Sequence, residues 1–149
     1  VTDRGMTPVV GKTLEIGIVL LYVALVTAAL YGGVVPSAQA DAASVVGDRT
    51  LNAAATSVED AVPGVAADAV TVRARVALPD TIGGQPYALR AEDRTLVLDS
   101  PLTGVGGRAA LSLPGRVAGV SGEWHSGRDL LVVVTGGDAL SVELREVAR

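Results

Sequence analysis

From Ile16 to Ala40 the chain holds no Asp, Glu, Lys, Arg or His, and this 25-residue uncharged run limits what the chain can become. A window this long reads as a membrane span. Twenty residues separate the ends of Ile16–Val35. At about 1.5 Å per helical residue they reach about 30 Å, the thickness of a bilayer's hydrocarbon core. Tyr31 lies near the outer end, where amphipathic rings prefer the interface. Gly32, Gly33 and Pro36 predict a break or kink just past the span. A cleaved secretory signal is the competing reading, because Ser37-Ala38-Gln39-Ala40 resembles a small-residue cleavage site. The apolar core of such a signal is only about 7–15 residues long, so length favours a retained span. Arg4 and Lys12 lie on the short amino-terminal side, which the positive-inside rule keeps cytoplasmic while residues 41–149 face outward. Asp3 and Glu15 balance those two cations, so the outward part carries the whole net charge of −4.

Composition removes several classes. A chain of 149 residues is read as one domain rather than two, and a mean hydropathy of +0.44 is too high for disorder. With no Cys, a disulfide framework, a thiolate metal site and a thiol nucleophile are all impossible. Basic residues are few and scattered, so no nucleic-acid partner is expected. Aromatics are 3% of the chain, too few for stacking platforms.

Past the span the apolar period changes twice. Leu51, Ala55, Val58 and Val62 form one stripe of a 3.6-residue repeat, which Pro63-Gly64 must end. This predicts an amphipathic helix over 41–62 that packs one face on something. Beyond Pro63 the period is two. Val70–Leu78, Tyr87–Ala91, Arg94–Asp99, Ala109–Leu113, Val117–Glu123, Asp129–Thr135 and Ala139–Val147 read as strands, with Glu92-Asp93 turning a hairpin. Asp129–Thr135 is apolar on both faces and is placed centrally in the sheet. The expected fold is α+β: an N-terminal transmembrane helix and an amphipathic helix packed on a small antiparallel β-sheet or sandwich domain over 63–149.

A search for chemistry returns little. Gly104-Val-Gly-Gly-Arg108 lacks the Lys-Ser/Thr pair of a phosphate loop and precedes a strand, so it reads as a turn. His125 is the sole histidine, which leaves no histidine-based metal triad. Acidic residues are spread singly, without a calcium-loop pattern. No catalytic residue, metal or cofactor is expected, and the chain is not read as an enzyme. The string Glu123-Trp124-His125-Ser126-Gly127 reads as a hairpin tip with Trp124 over the sheet edge and His125 solvated. Trp124 and His125 are also the candidates for a recognition loop, since loops on a scaffold tend to carry function. In the apolar helix Ala24, Ala28 and Gly32 recur every four residues, a small-xxx-small face that lets helices approach closely.

Arg4-Gly5-Met6-Thr7-Pro8-Val9-Val10-Gly11, followed by a long apolar helix, resembles an archaeal-type prepilin with a class III signal peptide, of the pilin-like kind seen in haloarchaea. The resemblance covers residues 4 to about 35. It implies a 1–5 leader cut by prepilin peptidase between Gly5 and Met6, with Thr7 and Pro8 opening the mature helix over 6–40. It further implies partners in other pilin-like subunits, the pilus assembly machinery and the membrane, with the C-terminal domain outside the cell. The acidic residue nearest the mature start is Glu15, which can pair with Lys12 or with a neighbouring subunit. A helix broken at Gly32–Pro36 favours a minor pilin or pseudopilin over a main filament subunit. The alternative is a permanently anchored extracytoplasmic β domain that binds a surface partner through its loops.

Overall fold

A computed structural model of the chain describes residues 7–64 and 69–148. They divide into two compact units at Gln39/Ala40.

The first unit is helical. Helix α1 spans Thr7–Ala29 and passes into a π-helical turn, Leu30–Val34, after which α2 spans Val35–Ala61. No loop intervenes, so the break expected at Gly32–Pro36 does not occur. The reason lies in hydrogen bonding. Pro36 has no N–H to donate, so one bond of the α ladder is lost there in any case. The wide turn re-phases the ladder before that gap, with the Val35 N–H donating to the Leu30 carbonyl, and the chain stays helical.

In the second unit, the part of α2 beyond Ala40 covers a sheet. Leu51, Ala55, Val58 and Val62, the stripe read from the sequence, are all buried in one core with Ala43, Ala54 and Ala61. Small residues bring this face close: a Cβ added at Gly47 would lie 3.0 Å from Val105 Cγ1. The helix ends in a tightened turn, with the Val62 N–H donating to the Glu59 carbonyl at 3.1 Å. Two polar ties then hold its end. The Ser112 N–H donates to Glu59 Oε1 at 2.6 Å, and the Arg116 guanidinium donates to the Pro63 carbonyl.

The seven strands are β1 (Val70–Val76), β2 (Ala88–Glu92), β3 (Thr95–Asp99), β4 (Gly107–Ala110), β5 (Val117–His125), β6 (Asp129–Gly136) and β7 (Leu140–Val147). They lie in the order β1-β6-β7-β5-β2-β3-β4. The sheet is mixed rather than antiparallel, because β5 pairs with β7 in parallel. Connection lengths cause this. A tight turn after Gly136 folds β7 back on β6, and residues 126–128 carry the chain from the end of β5 to the start of β6. Strands β5 and β6 therefore run in opposite senses with β7 between them, and a strand in that place must be parallel to one of them.

Strand β6 is interior but next to the β1 edge, and the centre belongs to β5. β5 pairs with β7 through Val117–Gly122 and with β2 through Glu123–His125. Gly122, at φ +106°, sits where it passes between partners, and a Cβ there would strike the Leu144 carbonyl. The β2–β3 turn is Asp93-Arg94, one residue later than expected, with Glu92 opposite Thr95. Asp93 takes φ +54°, a conformation Asp tolerates better than most residues. Two buried valines, Val97 and Val133, lie outside the main core. Each is flanked in register by long charged side chains: Arg90 and Arg108 for Val97, Arg73 and Glu143 for Val133. Such stems cover apolar surface while their heads stay in water.

Candidate functional site

Two surfaces carry the residues singled out by the sequence. The first is the helix of the N-terminal unit. Large apolar side chains from Val10 to Tyr31, among them Ile16, Leu20, Leu21, Leu25 and Leu30, are exposed. It is long and apolar enough to cross a membrane. Among the described residues it holds one ion pair, Lys12 Nζ to Glu15 Oε2 at 3.0 Å, near its start. Ala24 and Ala28 are exposed along α1, and Gly32 lies within the π turn, where an added Cβ would meet nothing. Arg4, Gly5 and Met6 of the leader motif lie outside the described residues, while Thr7 and Pro8 begin α1.

The second surface is built around the end of β5. Trp124 is not folded over a sheet edge. It is 2% exposed, in register with Leu89 on the interior strand β2, and belongs to the core. Its indole N–H donates to the Arg128 carbonyl at 3.0 Å, and its ring meets Tyr87 edge-on at a centroid distance of 5.6 Å. The burial follows from register. Val117, Val120 and Trp124 face inward along β5, which places the largest side chain of the chain under the helix-bearing face. Tyr87 is locked beside it. Its hydroxyl donates to the Pro79 carbonyl at 2.7 Å, and burial, aided by the Asp80 carboxylate, holds the phenol proton well above the usual tyrosine range. Trp124 thus packs in the core.

His125 points the other way and is exposed. Its ring Nδ1 donates to Glu146 Oε1 at 2.7 Å, its backbone N–H donates to the same oxygen at 2.9 Å, and Arg128 lies 3.3 Å from Glu146 Oε2. The imidazole hydrogen bond, then the backbone bond and the Arg128 charge, hold the Glu146 carboxyl below its ordinary range against a smaller opposing desolvation. Beside His125 is an open depression of about 350 Å³ lined by Tyr87, Asp99, Ser100, Ser126 and two prolines, Pro86 and Pro101.

The polar groups of the depression are held by partners of their own. Ser126 Oγ accepts the Tyr87 N–H at 3.0 Å, Ser100 Oγ accepts the Leu102 N–H at 3.2 Å, and Asp99 is paired with Arg90. The His125 ring is turned to Glu146 and lies 3.6 Å from Glu123. Among the described residues no three His, Asp or Glu side chains gather as metal ligands. Sequence reasoning named His125 but missed Glu146 and Asp99. Glu146 closes the alternation of β7 and Asp99 ends β3, and nothing local marks either as a neighbour of His125.

A family model described as "Family of unknown function (DUF7266)" matches residues 1–145 of the chain. No curated protein and no solved structure matches it.

Proposed function

The chain belongs to this DUF7266 family, and for it we propose a structural role: a pilin-like subunit held in the membrane by its N-terminal helix and exposing the β domain outside. The observation that carries the reading is the unpartnered apolar helix. Nine aliphatic side chains between Ile16 and Leu30 (Ile16, Ile18, Val19, Leu20, Leu21, Val23, Leu25, Val26 and Leu30) are exposed in the isolated chain. They are 40–65% exposed, and at about 1 kcal/mol each their removal from water favours burial by roughly 10 kcal/mol. That equals the net stability of a whole domain, so lipid or other helices must cover the segment. Lipid does so in the precursor, and neighbouring subunits do so after assembly. Ala24, Ala28 and Gly32 would then form the face along which helices approach.

Orientation follows from charge, since Lys12, like Arg4, lies before the uncharged run and favours the cytoplasmic side. The unbroken passage from α1 to α2 removes the argument for a minor subunit over a main one, and the proposal extends to both. Prepilin peptidase would release Val1–Gly5. Intact-mass analysis of the membrane protein, with and without that peptidase, tests this. The expected result is loss of Val1–Gly5 only when the peptidase is present, and retention of the full mass in Gly5→Leu. A full mass in both conditions would leave a permanent anchor for a β-domain binding module.

A further inference from the structure

The sheet has two edges of different character. Strand β4 is a short one, Gly107–Ala110, entered through Gly106 at φ +148°. Strand β1 is seven residues long, contains neither Pro nor Gly, and keeps an unbroken register with β6 from Val70↔Gly136 to Val76↔Leu130. Among the described residues it pairs with no second strand, so alternate N–H and C=O groups along its outer side are open to a further strand. Of its inward residues Val76 is buried, but Val70, Val72 and Ala74 are only half-buried at the margin of the core, whereas Leu130, Val132 and Val134 of β6 and Leu140, Val142 and Leu144 of β7 are fully buried. Its outward residues are Thr71, Arg73 and Arg75, all exposed. Arg75 reaches Asp129 at 3.5 Å, and Arg73 is opposite the uncharged Val133.

We propose that the β1 edge accepts an extended peptide segment of another protein, with apolar residues on the core side alternating with Asp or Glu on the outer side. The pleat puts both sets in place at once. Apolar residues of the added strand would complete the cover over Val70, Val72 and Ala74, and its carboxylates would stand beside Arg73 and Arg75. The same arginines disfavour a second copy of this chain. Two copies of β1 paired about a two-fold axis, with outward residues facing outward residues, have three registers that keep at least five residues of each strand paired. One sets Arg73 opposite Arg73, another sets Arg73 opposite Arg75, and the third leaves the two Arg73 side chains on the diagonal. Like charges across such pairs are destabilising, so the edge repels itself and suits an acidic partner.

The test uses the full-length chain in detergent micelles and two blocked heptapeptides, one alternating valine with glutamate and one alternating valine with lysine. Fluorescence anisotropy reads binding, and hydrogen exchange by mass spectrometry reads protection of β1. The glutamate peptide should bind saturably, slow exchange in Val70–Val76, and bind at least tenfold more tightly than the lysine peptide. Arg73→Glu should weaken the glutamate peptide roughly tenfold and favour the lysine peptide, whereas Arg73→Lys, which keeps both the charge and a stem over Val133, should bind the two peptides as the parent chain does. Equal binding of both peptides, indifference to Arg73→Glu, or protection outside β1 would overturn the proposal. So would concentration-dependent protection of β1 without peptide, which would assign the edge to a second copy.

Discussion

Val58 is the most direct probe of how α2 and the sheet depend on each other. It is 0% exposed and belongs to the same core as Val132, Val134 and Val142. Val58→Ala removes two buried methyl groups, whose transfer free energy is about 1.5 kcal/mol. The cavity left behind adds roughly another 1 kcal/mol where neighbours cannot collapse, giving about 2–3 kcal/mol in total. Val45, on the same helix, is 54% exposed, and Val45→Ala should cost under about 0.5 kcal/mol. Urea denaturation of the 40–149 fragment measures both, with Trp124 fluorescence as reporter, because it is the single tryptophan and lies in the core. With a slope near 1–2 kcal/mol per molar urea, the Val58→Ala midpoint should fall by roughly 1–3 M at an unchanged slope. Equal effects at the two positions would mean that α2 is a stalk whose inner face contributes nothing, and the packing argument would fail.

Three further outcomes are expected. Gly122→Ala combines a left-handed φ with a collision at the Leu144 carbonyl, so it should destabilise the domain by roughly 3 kcal/mol or more, read by the same denaturation. The depressed Glu146 pKa makes its contribution complete above the unfolded value near pH 4.3 and progressively lost as pH falls through the lower folded value. Carbon-13 titration should therefore place its midpoint below that of an ordinary Glu, rising more in His125→Ala than in Arg128→Ala; an unmoved midpoint in both would contradict the assigned cause. Ala28→Leu should leave membrane insertion intact while disturbing assembly of copies, since Leu is favourable in lipid but too large for a close helix approach; wild-type assembly in that variant would show the face to be ordinary composition.

Much of the outer domain was legible because its strands alternate. Val70–Val76 and Leu140–Val147 show the period of two in their sequence and again in their burial. The stripe Leu51, Ala55, Val58, Val62 likewise marked the buried face of α2. Strand order was not legible, because periodicity says which side of a residue is buried and nothing about which strand lies beside it. The parallel β5–β7 pairing comes from two short connections acting together, and only three-dimensional closure shows that β7 must enter between β5 and β6. Gly32, Gly33 and Pro36 were read as a break or kink by local preference. A π turn spread the missing bond over a wider ring, an option that residue preferences do not express. At the candidate site, His125 stood out as a lone histidine, but Glu146 is 21 residues away and reaches it across the end of the sheet. Trp124 was misplaced because its burial depends on the register of β5, which begins at a bulge between Val117 and Gly119.

Under the proposed function the exposed apolar helix ends up covered by like helices in an assembly of pilin-like subunits. Shearing filaments from intact cells and comparing the chain in the sheared fraction and in the membrane by intact mass tests it most directly. Mature chain lacking Val1–Gly5 is expected in the sheared material, with its loss from that fraction and accumulation in the membrane in Gly5→Leu. A chain found wholly in the membrane at full mass, whatever residue stands at position 5, would contradict it.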